Sequence, residues 1–237
     1  MKAVTIKSKT KLLFEIIIVL GTMAGTKAVL DQLQIIPAAL NGSIGIWLGI
    51  LVATFFFRKR NIKWSDIGLR LPKGRKQWLK QLGIGVLAIA SIFLITAVTL
   101  FVLKPLFGLE QAADATDKFS FFLGKPLVLI GYLVVGIWFG AGLGEELLMR
   151  GFILNTLKEL IGNSKISWAL ALVIQAVLFG FMHSYHGSQG IVITGLIALS
   201  FGIFYLAAKR KLFPVIFAHA AFDTLTMVGL YFSESAG

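Results

Sequence analysis

The sequence has 237 residues, of which 57% are hydrophobic and 14% charged, whereas soluble domains average roughly 45–50% and 25%. These values exclude an ordinary soluble domain and leave room for roughly six to eight membrane spans of about 20 residues each. The absence of cysteine excludes disulfides, Cys-ligated metal sites and a thiol nucleophile. The net charge of +12 comes from Lys and Arg that lie mostly between apolar runs, where they act as topology signals, so we predict no nucleic-acid binding.

Seven apolar runs predict an all-α, polytopic integral membrane helical bundle with seven to eight transmembrane helices. Glycines four residues apart, as in the pairs Gly21/Gly25, Gly45/Gly49 and Gly140/Gly144, indicate close helix packing. In chain order the predicted spans are 12–30, 35–57, 82–103, 127–148, 168–182, 191–208 and 212–232.

The distribution of Lys and Arg predicts the orientation of these spans. Nine of these residues lie in the connection 58–80, which we predict to be a cytoplasmic loop, and the N-terminus before the first span is also basic and therefore cytoplasmic. We divide the chain into N-terminal transmembrane helices, 1–124, and a core, 125–237, within one integral membrane unit. Short connections and the lack of an organelle signal favour a bacterial plasma membrane.

Ionisable residues at membrane depth are costly and usually mark a cavity, a pair or a site. In the segment 144–150, Glu146 and Arg150 are four residues apart on one helix face and can pair, whereas Glu145 points about 100° away and is left free for chemistry. The alternative is an ordinary ion pair where a helix reaches the cytoplasmic interface.

Histidine occurs only in the last third of the chain. His183 ends an apolar span with Phe179 one turn before it, and it can be a base, a ligand or merely an interfacial cap. His219 and Asp223 are one turn apart inside the last span, where Asp223 can orient the imidazole, or where the pair can simply fix helix packing. We assign His186 to a loop without a role.

The motifs Glu-Glu-x-x-x-Arg, Phe-x-x-x-His and His-x-x-x-Asp in three apolar segments resemble the CPBP family of intramembrane proteases. This family, also called Abi, is named after CAAX processing and bacteriocin processing and includes the type II CAAX prenyl endopeptidases. The resemblance runs from about Pro126 to Phe232. It implies an intramembrane endopeptidase with catalytic Glu145, His183, His219 and Asp223, acting on a peptide or lipid-associated protein substrate among membrane lipids.

Peptide hydrolysis needs an activated water and a place for the negative charge of the tetrahedral intermediate. Our hypothesis is that Glu145, aided by His183, activates the water, and that His219 and Asp223 stabilise the oxyanion. Glu146, Arg150 and Phe179 support these groups.

The competing hypothesis is a Zn²⁺ site with Glu145, His183 and His219 as ligands, although the sequence lacks the His-Glu-x-x-His pair of zincins and we assign no metal. Two other classes of function stay open. One is a proton-coupled transporter, and the other is a non-catalytic bacteriocin-immunity or scaffold protein.

The predicted spans conflict with these roles in one respect. Glu145 lies near the inner end of its predicted span, whereas His183 lies at the outer end of 168–182, a separation that exceeds about 20 Å at 1.5 Å per residue. We therefore expect the stretch 146–161 to continue the helix or to re-enter the membrane.

Overall fold

The computed structural model describes residues 6–113 and 116–235, and its regular structure in these ranges is entirely helical. Seven helices of this part of the chain are long and apolar enough to cross a membrane, which confirms the predicted polytopic bundle. They are α1 (Ile6–Leu33), α2 (Ala38–Lys59), α3 (Gly74–Phe107), α4 (Pro126–Ile161), α5 (Lys165–Met182), α6 (Gly187–Ala207) and α7 (Phe213–Ser235). Lys2 and Asp114, which contribute to the predicted charge pattern, lie outside the described residues.

Large apolar side chains face outward along these helices, as Leu127 and Phe101 illustrate with exposed fractions of 82% and 80%. In a soluble protein such surfaces would be unfavourable, but in hydrocarbon they are the expected lining. The helices satisfy their own backbone hydrogen bonds, which is the condition for crossing a bilayer.

The bundle has two ends, which we name by their connections. The basic end carries 60–73, 162–164 and 208–212, and there Leu212 N donates to Gly68 O at 3.1 Å. Gly68 has φ 101°, and a Cβ on it would overlap the Arg210 carbonyl, so this contact requires glycine. The distal end carries 34–37, 108–125 and 183–186, where Ala112 N donates to His186 O at 3.2 Å.

The loop predicted at 58–80 is shorter in the structure. α2 extends to Lys59 and α3 begins at Gly74, so the connection is 60–73, with a short 3₁₀ turn at Trp64–Ile67. Long basic side chains can reach the interface from a helix end, and for this reason Lys and Arg do not by themselves end a helix.

The end of the fourth predicted span, at 148, is wrong, and the expected continuation through 146–161 is confirmed. α4 is one helix of 36 residues, well over the about 20 that cross the hydrocarbon core. It is π-helical over Leu133–Glu145 and Leu147–Ile153 and α-helical at both ends. Glu145 therefore lies in the middle of α4, and its expected separation in depth from His183 disappears.

One hydrophobic core contains residues from both predicted parts of the chain, 1–124 and 125–237. It includes Ile50 and Phe57 of α2, Ile92 of α3 and Phe152 of α4, and the Phe57 and Phe152 rings are 5.1 Å apart. A boundary at 124/125 thus divides the sequence but not the packing, and the division of the chain into these two parts stays a prediction.

A charged cluster fastens α1 to the rest of the bundle. Arg60 Nη1 donates to Glu15 Oε2 at 3.0 Å and Arg60 Nη2 donates to Glu159, while Glu15 is completely buried. Glu15 belongs to no sequence motif, although a single carboxylate within an apolar run is the pattern that predicts such a buried pair.

Candidate active site

Helices α4, α5 and α7 bring the predicted site residues to one cavity of about 820 Å³. Its wall contains all four predicted catalytic residues and two of the supporting ones. These are Glu145 and Arg150 of α4, Phe179 of α5, His183 at its end, and His219 and Asp223 of α7. Glu146, the remaining supporting residue, is completely buried behind the wall.

Glu146 and Arg150 form the predicted pair. Arg150 Nη1 donates to Glu146 Oε1 at 2.8 Å and Arg150 Nη2 donates to the Ala198 carbonyl at 3.0 Å. The guanidinium lies 5.3 Å from the ring centres of both Phe179 and Phe201. Neither partner of the ion pair has any exposed side-chain area, so the alternative of an interfacial ion pair is wrong.

Glu145 has different surroundings although it is the preceding residue. Its side chain is 16% exposed, and its nearest ionic neighbour is His219, with Oε2 at 3.9 Å from Nε2. Glu145 Oε2 has no hydrogen-bond partner among the described residues. Because the side chain lines the cavity and is partly exposed there, its carboxylate can accept a proton from a bound molecule.

His219 is held from behind by Glu146. Its Nδ1–H donates to Glu146 Oε1 at 2.9 Å, and its Nε2 faces Asp223 Oδ2 at 3.5 Å as well as Glu145. The bond at Nδ1 fixes the ring orientation and leaves Nε2 as the atom directed at the cavity. We expected Asp223 to orient the imidazole, but the carboxylate on Nδ1 is that of Glu146.

His183 is the C-cap residue of α5, between two spans. Its Nδ1–H donates to the Phe179 carbonyl at 2.9 Å, and its ring centre is 4.6 Å from that of Phe179, which accounts for the Phe-x-x-x-His spacing. Burial lowers the pKa of His183 to about 4, so the ring is neutral near pH 7 and Nε2 is an acceptor. No described carboxylate lies within ion-pair distance of it, so His183 and Glu145 line the same cavity without forming an ion pair.

The zinc alternative does not fit the side-chain positions. Within the ranges 6–113 and 116–235, no three His, Asp or Glu side chains are placed to hold a metal ion. Glu145 Oε2 lies 3.9 Å from His219 Nε2, whereas no described carboxylate is within ion-pair distance of His183, so the three proposed ligands do not converge on one point. We therefore describe the site without a metal ligand set.

The cavity continues from these residues to the distal end and includes residues that the sequence motifs did not indicate. Lys118 Nζ lies 3.7 Å from the ring centre of Tyr185, whose ring is 4.2 Å from that of His186. Tyr132 also lines this part of the wall. His186 lies in a connection between two helices, as expected, and also lines the cavity. No sequence motif indicates these residues, because the positions of the connecting segments depend on how the helices pack.

Part of the chain matches the model of a known protein family. Residues 126–225 match the family model described as "Type II CAAX prenyl endopeptidase Rce1-like", and this range contains Glu145, His183, His219 and Asp223. No curated protein and no solved structure is significantly similar to the chain.

Proposed function

Because residues 126–225 match the model of a CAAX-type membrane protease family, we propose that the chain is an intramembrane endopeptidase in which Glu145 activates the attacking water. One observation supports this assignment more than any other. The Glu145 side chain lines the cavity and is 16% exposed, and its buried Oε2, which has no hydrogen-bond partner among the described residues, lies 3.9 Å from the Nε2 of a histidine that Glu146 holds in place.

In the proposed reaction, a water molecule between Glu145 and His183 loses a proton to Glu145 as its oxygen attacks the carbonyl carbon of the scissile peptide bond. His183 Nε2 accepts the second O–H of that water and orients it, because Nδ1 is occupied by the Phe179 carbonyl. The C–N bond then breaks, and Glu145 returns its proton to the leaving amine nitrogen. Positioned proton transfer of this kind accelerates reactions by about 10²–10⁴-fold.

The negative charge of the tetrahedral intermediate develops near α7. When His219 is doubly protonated, its Nε2–H points into the cavity and donates to the oxyanion, while Nδ1–H keeps its bond to Glu146. The carboxylate of Asp223, with Oδ2 3.5 Å from Nε2, stabilises the positive charge of the doubly protonated imidazole. A fixed donor in a cavity that excludes most water stabilises such an anion more than water does.

We propose a peptide or a lipid-associated protein as the substrate. The cavity wall is mostly apolar, with Ile92, Ile137 and Phe222 among its residues, and its size suits an extended segment of several side chains. From Glu145 the cavity extends to Lys118 at the distal end of the bundle, so a substrate would enter from that end.

The decisive experiment replaces Glu145 by Gln, which keeps the shape of the side chain and removes the proton acceptor. We expect the cleavage rate to fall at least about 100-fold, because the water then has no general base. Peptides that accumulate in membranes of cells with E145Q, compared with wild type, identify the substrate, and the purified proteins are then assayed on that peptide.

Glu110→Gln is the matched control, since Glu110 is an exposed carboxylate at the distal end, and it should cleave normally. Unchanged cleavage by E145Q would refute the proposal, and transport activity that survives E145Q in reconstituted protein would favour a transporter instead. Cleavage that stops in chelator and returns with zinc would contradict the metal-free assignment.

A further inference from the structure

Lys118 is a cation at the distal end of the cavity without an anionic partner among the described residues. Its Nζ lies 3.7 Å from the ring centre of Tyr185 and 4.9 Å from that of Phe119, and no described carboxylate is within ion-pair distance. Lys27, which lines the same end, contacts Asp31 at 2.5 Å. Of these two lysines, only Lys118 is therefore available to a ligand.

The surroundings of Lys118 favour an incoming anion. Burial lowers the pKa of Lys118 to about 8, and the charge of Lys27 adds to this effect, while the carboxylate of Glu145 opposes it. A half-buried ammonium without a partner is unfavourable, and an opposite charge brought by a ligand would stabilise it. The aromatic faces of Tyr185 and Phe119 hold the ammonium in place but supply no formal charge.

We infer that Lys118 binds a carboxylate of the peptide substrate and thereby determines which segment reaches Glu145. The inference rests on the proposed function, because it takes the cavity for a peptide-binding site. Both residues line one cavity, and the carboxylate of Glu145 acts electrostatically on Lys118. A substrate with its carboxylate at Lys118 would therefore extend along the wall toward Glu145.

A peptide carboxylate fits this position better than a lipid phosphate. Lys118 points into the cavity that contains the proposed catalytic groups, and Tyr185 and Tyr132 line the wall beside it. The carboxylate can come from the free C-terminus of a peptide or from an acidic side chain, and both sources have the same chemistry at Lys118.

Binding is measured on full-length E145Q protein in phosphatidylcholine nanodiscs, so that no peptide is cleaved. The probes are pools of random apolar hexapeptides as free acids, as C-terminal amides, and as amides with one internal glutamate. We expect mass spectrometry to find the free acids, the glutamate peptides or both retained about tenfold over the plain amides. With Lys118→Met, the retention of each acidic pool relative to the plain amides should be close to one. Lys118→Arg should preserve the preference for acidic peptides.

Lys125→Met is the matched control, because Lys125 is an exposed lysine of the same connection and does not line the cavity. It should leave the preference unchanged, and equal size-exclusion profiles check that the variants fold.

Equal retention of acids and amides, or a preference that survives K118M, would refute the inference. Lys118-dependent binding of phosphatidylglycerol without peptide selectivity would assign the site to a lipid instead. The binding assay uses E145Q and does not depend on catalysis. Failure of the wild-type protein to cleave peptides would therefore contradict only the proposed function.

Discussion

Adjacent residues Glu145 and Glu146 have the same side chain and opposite surroundings. Glu146 Oε1 accepts hydrogen bonds from Arg150 and His219, whereas Glu145 Oε2 accepts none from the described residues. Consecutive residues of a helix point about 100° apart, and this angle accounts for the different surroundings of the two carboxylates. One carboxylate therefore organises the site, and the other is available for proton transfer.

Arg150 is expected to hold this arrangement together. In Arg150→Met the Glu146 carboxylate would remain buried without its guanidinium, and loss of one partner of a buried ion pair typically costs about 3–5 kcal/mol. We therefore expect a clear decrease in the thermal unfolding midpoint of the purified protein in detergent.

Arg70→Met is the control for R150M. Arg70 and Asp66 are also four residues apart, but their side chains are 65% and 50% exposed and 3.6 Å apart, so the change should cost less than about 1 kcal/mol. The double variant R150M/E146M should regain stability without activity, because His219 then has no acceptor at Nδ1. Equal midpoints for R150M and R70M would contradict the role of the buried pair.

At the scale of the helices, α4 is held close to its neighbours by glycine. A Cβ on Gly140 would meet Ser43 of α2, and one on Gly144 would lie 2.9 Å from Ile46 Cγ2. The Gly140/Gly144 and Gly45/Gly49 pairs thus confirm the predicted close packing. The Gly21/Gly25 pair does not, since neither position has a neighbour within 4 Å.

Gly142 sets the distance between α4 and α7. A Cβ there would lie 2.7 Å from Ala220 Cβ and 3.2 Å from Ala220 Cα, one residue after His219. Gly142→Ala should therefore push α7 away from Glu145, with a stability cost of about 1–3 kcal/mol and a loss of cleavage.

The control for G142A lies on the same helix. Gly131 is exposed, and a Cβ added to it would have no neighbouring atom within 4 Å, so Gly131→Ala should keep full cleavage and at least wild-type stability. Thermal unfolding and cleavage assays on both variants compare the two sites directly. A fully active G142A would mean that the α4–α7 distance does not limit the reaction.

At the scale of the molecule, the two ends differ in charge, and this difference predicts the orientation. The connections 60–73 and 208–212 are rich in Lys and Arg, while the distal connection 108–125 also carries Glu110 and Asp117. Positive connections stay in the cytoplasm, so we expect the cavity to lead toward the opposite side of the membrane.

The natural absence of cysteine makes this orientation measurable. A membrane-impermeant thiol reagent should label Ser120→Cys in intact cells and should label Lys73→Cys only after lysis, since both positions are exposed at opposite ends of the bundle. The reverse labelling pattern would place the cavity entrance in the cytoplasm.

Much of this protein follows from the sequence alone. The seven apolar runs predict seven spans, because each helix that crosses a bilayer needs about 20 apolar residues in succession. The spacing of Glu146 and Arg150, or of Phe179 and His183, predicts contacts because a helix brings residues four positions apart to one face.

Tertiary packing determined the burial of charged residues and the contacts between distant residues, which helical periodicity does not predict. The spacing of Glu146 and Arg150 predicted their pairing, but the complete burial of this pair, which lets α4 continue past two charged residues, depends on the helices packed around it. The contacts of Glu15 with Arg60, of His219 with Glu146, and of Lys118 with Tyr185 join residues far apart in the chain. Such contacts depend on how whole helices pack, and no local pattern of residues contains that information.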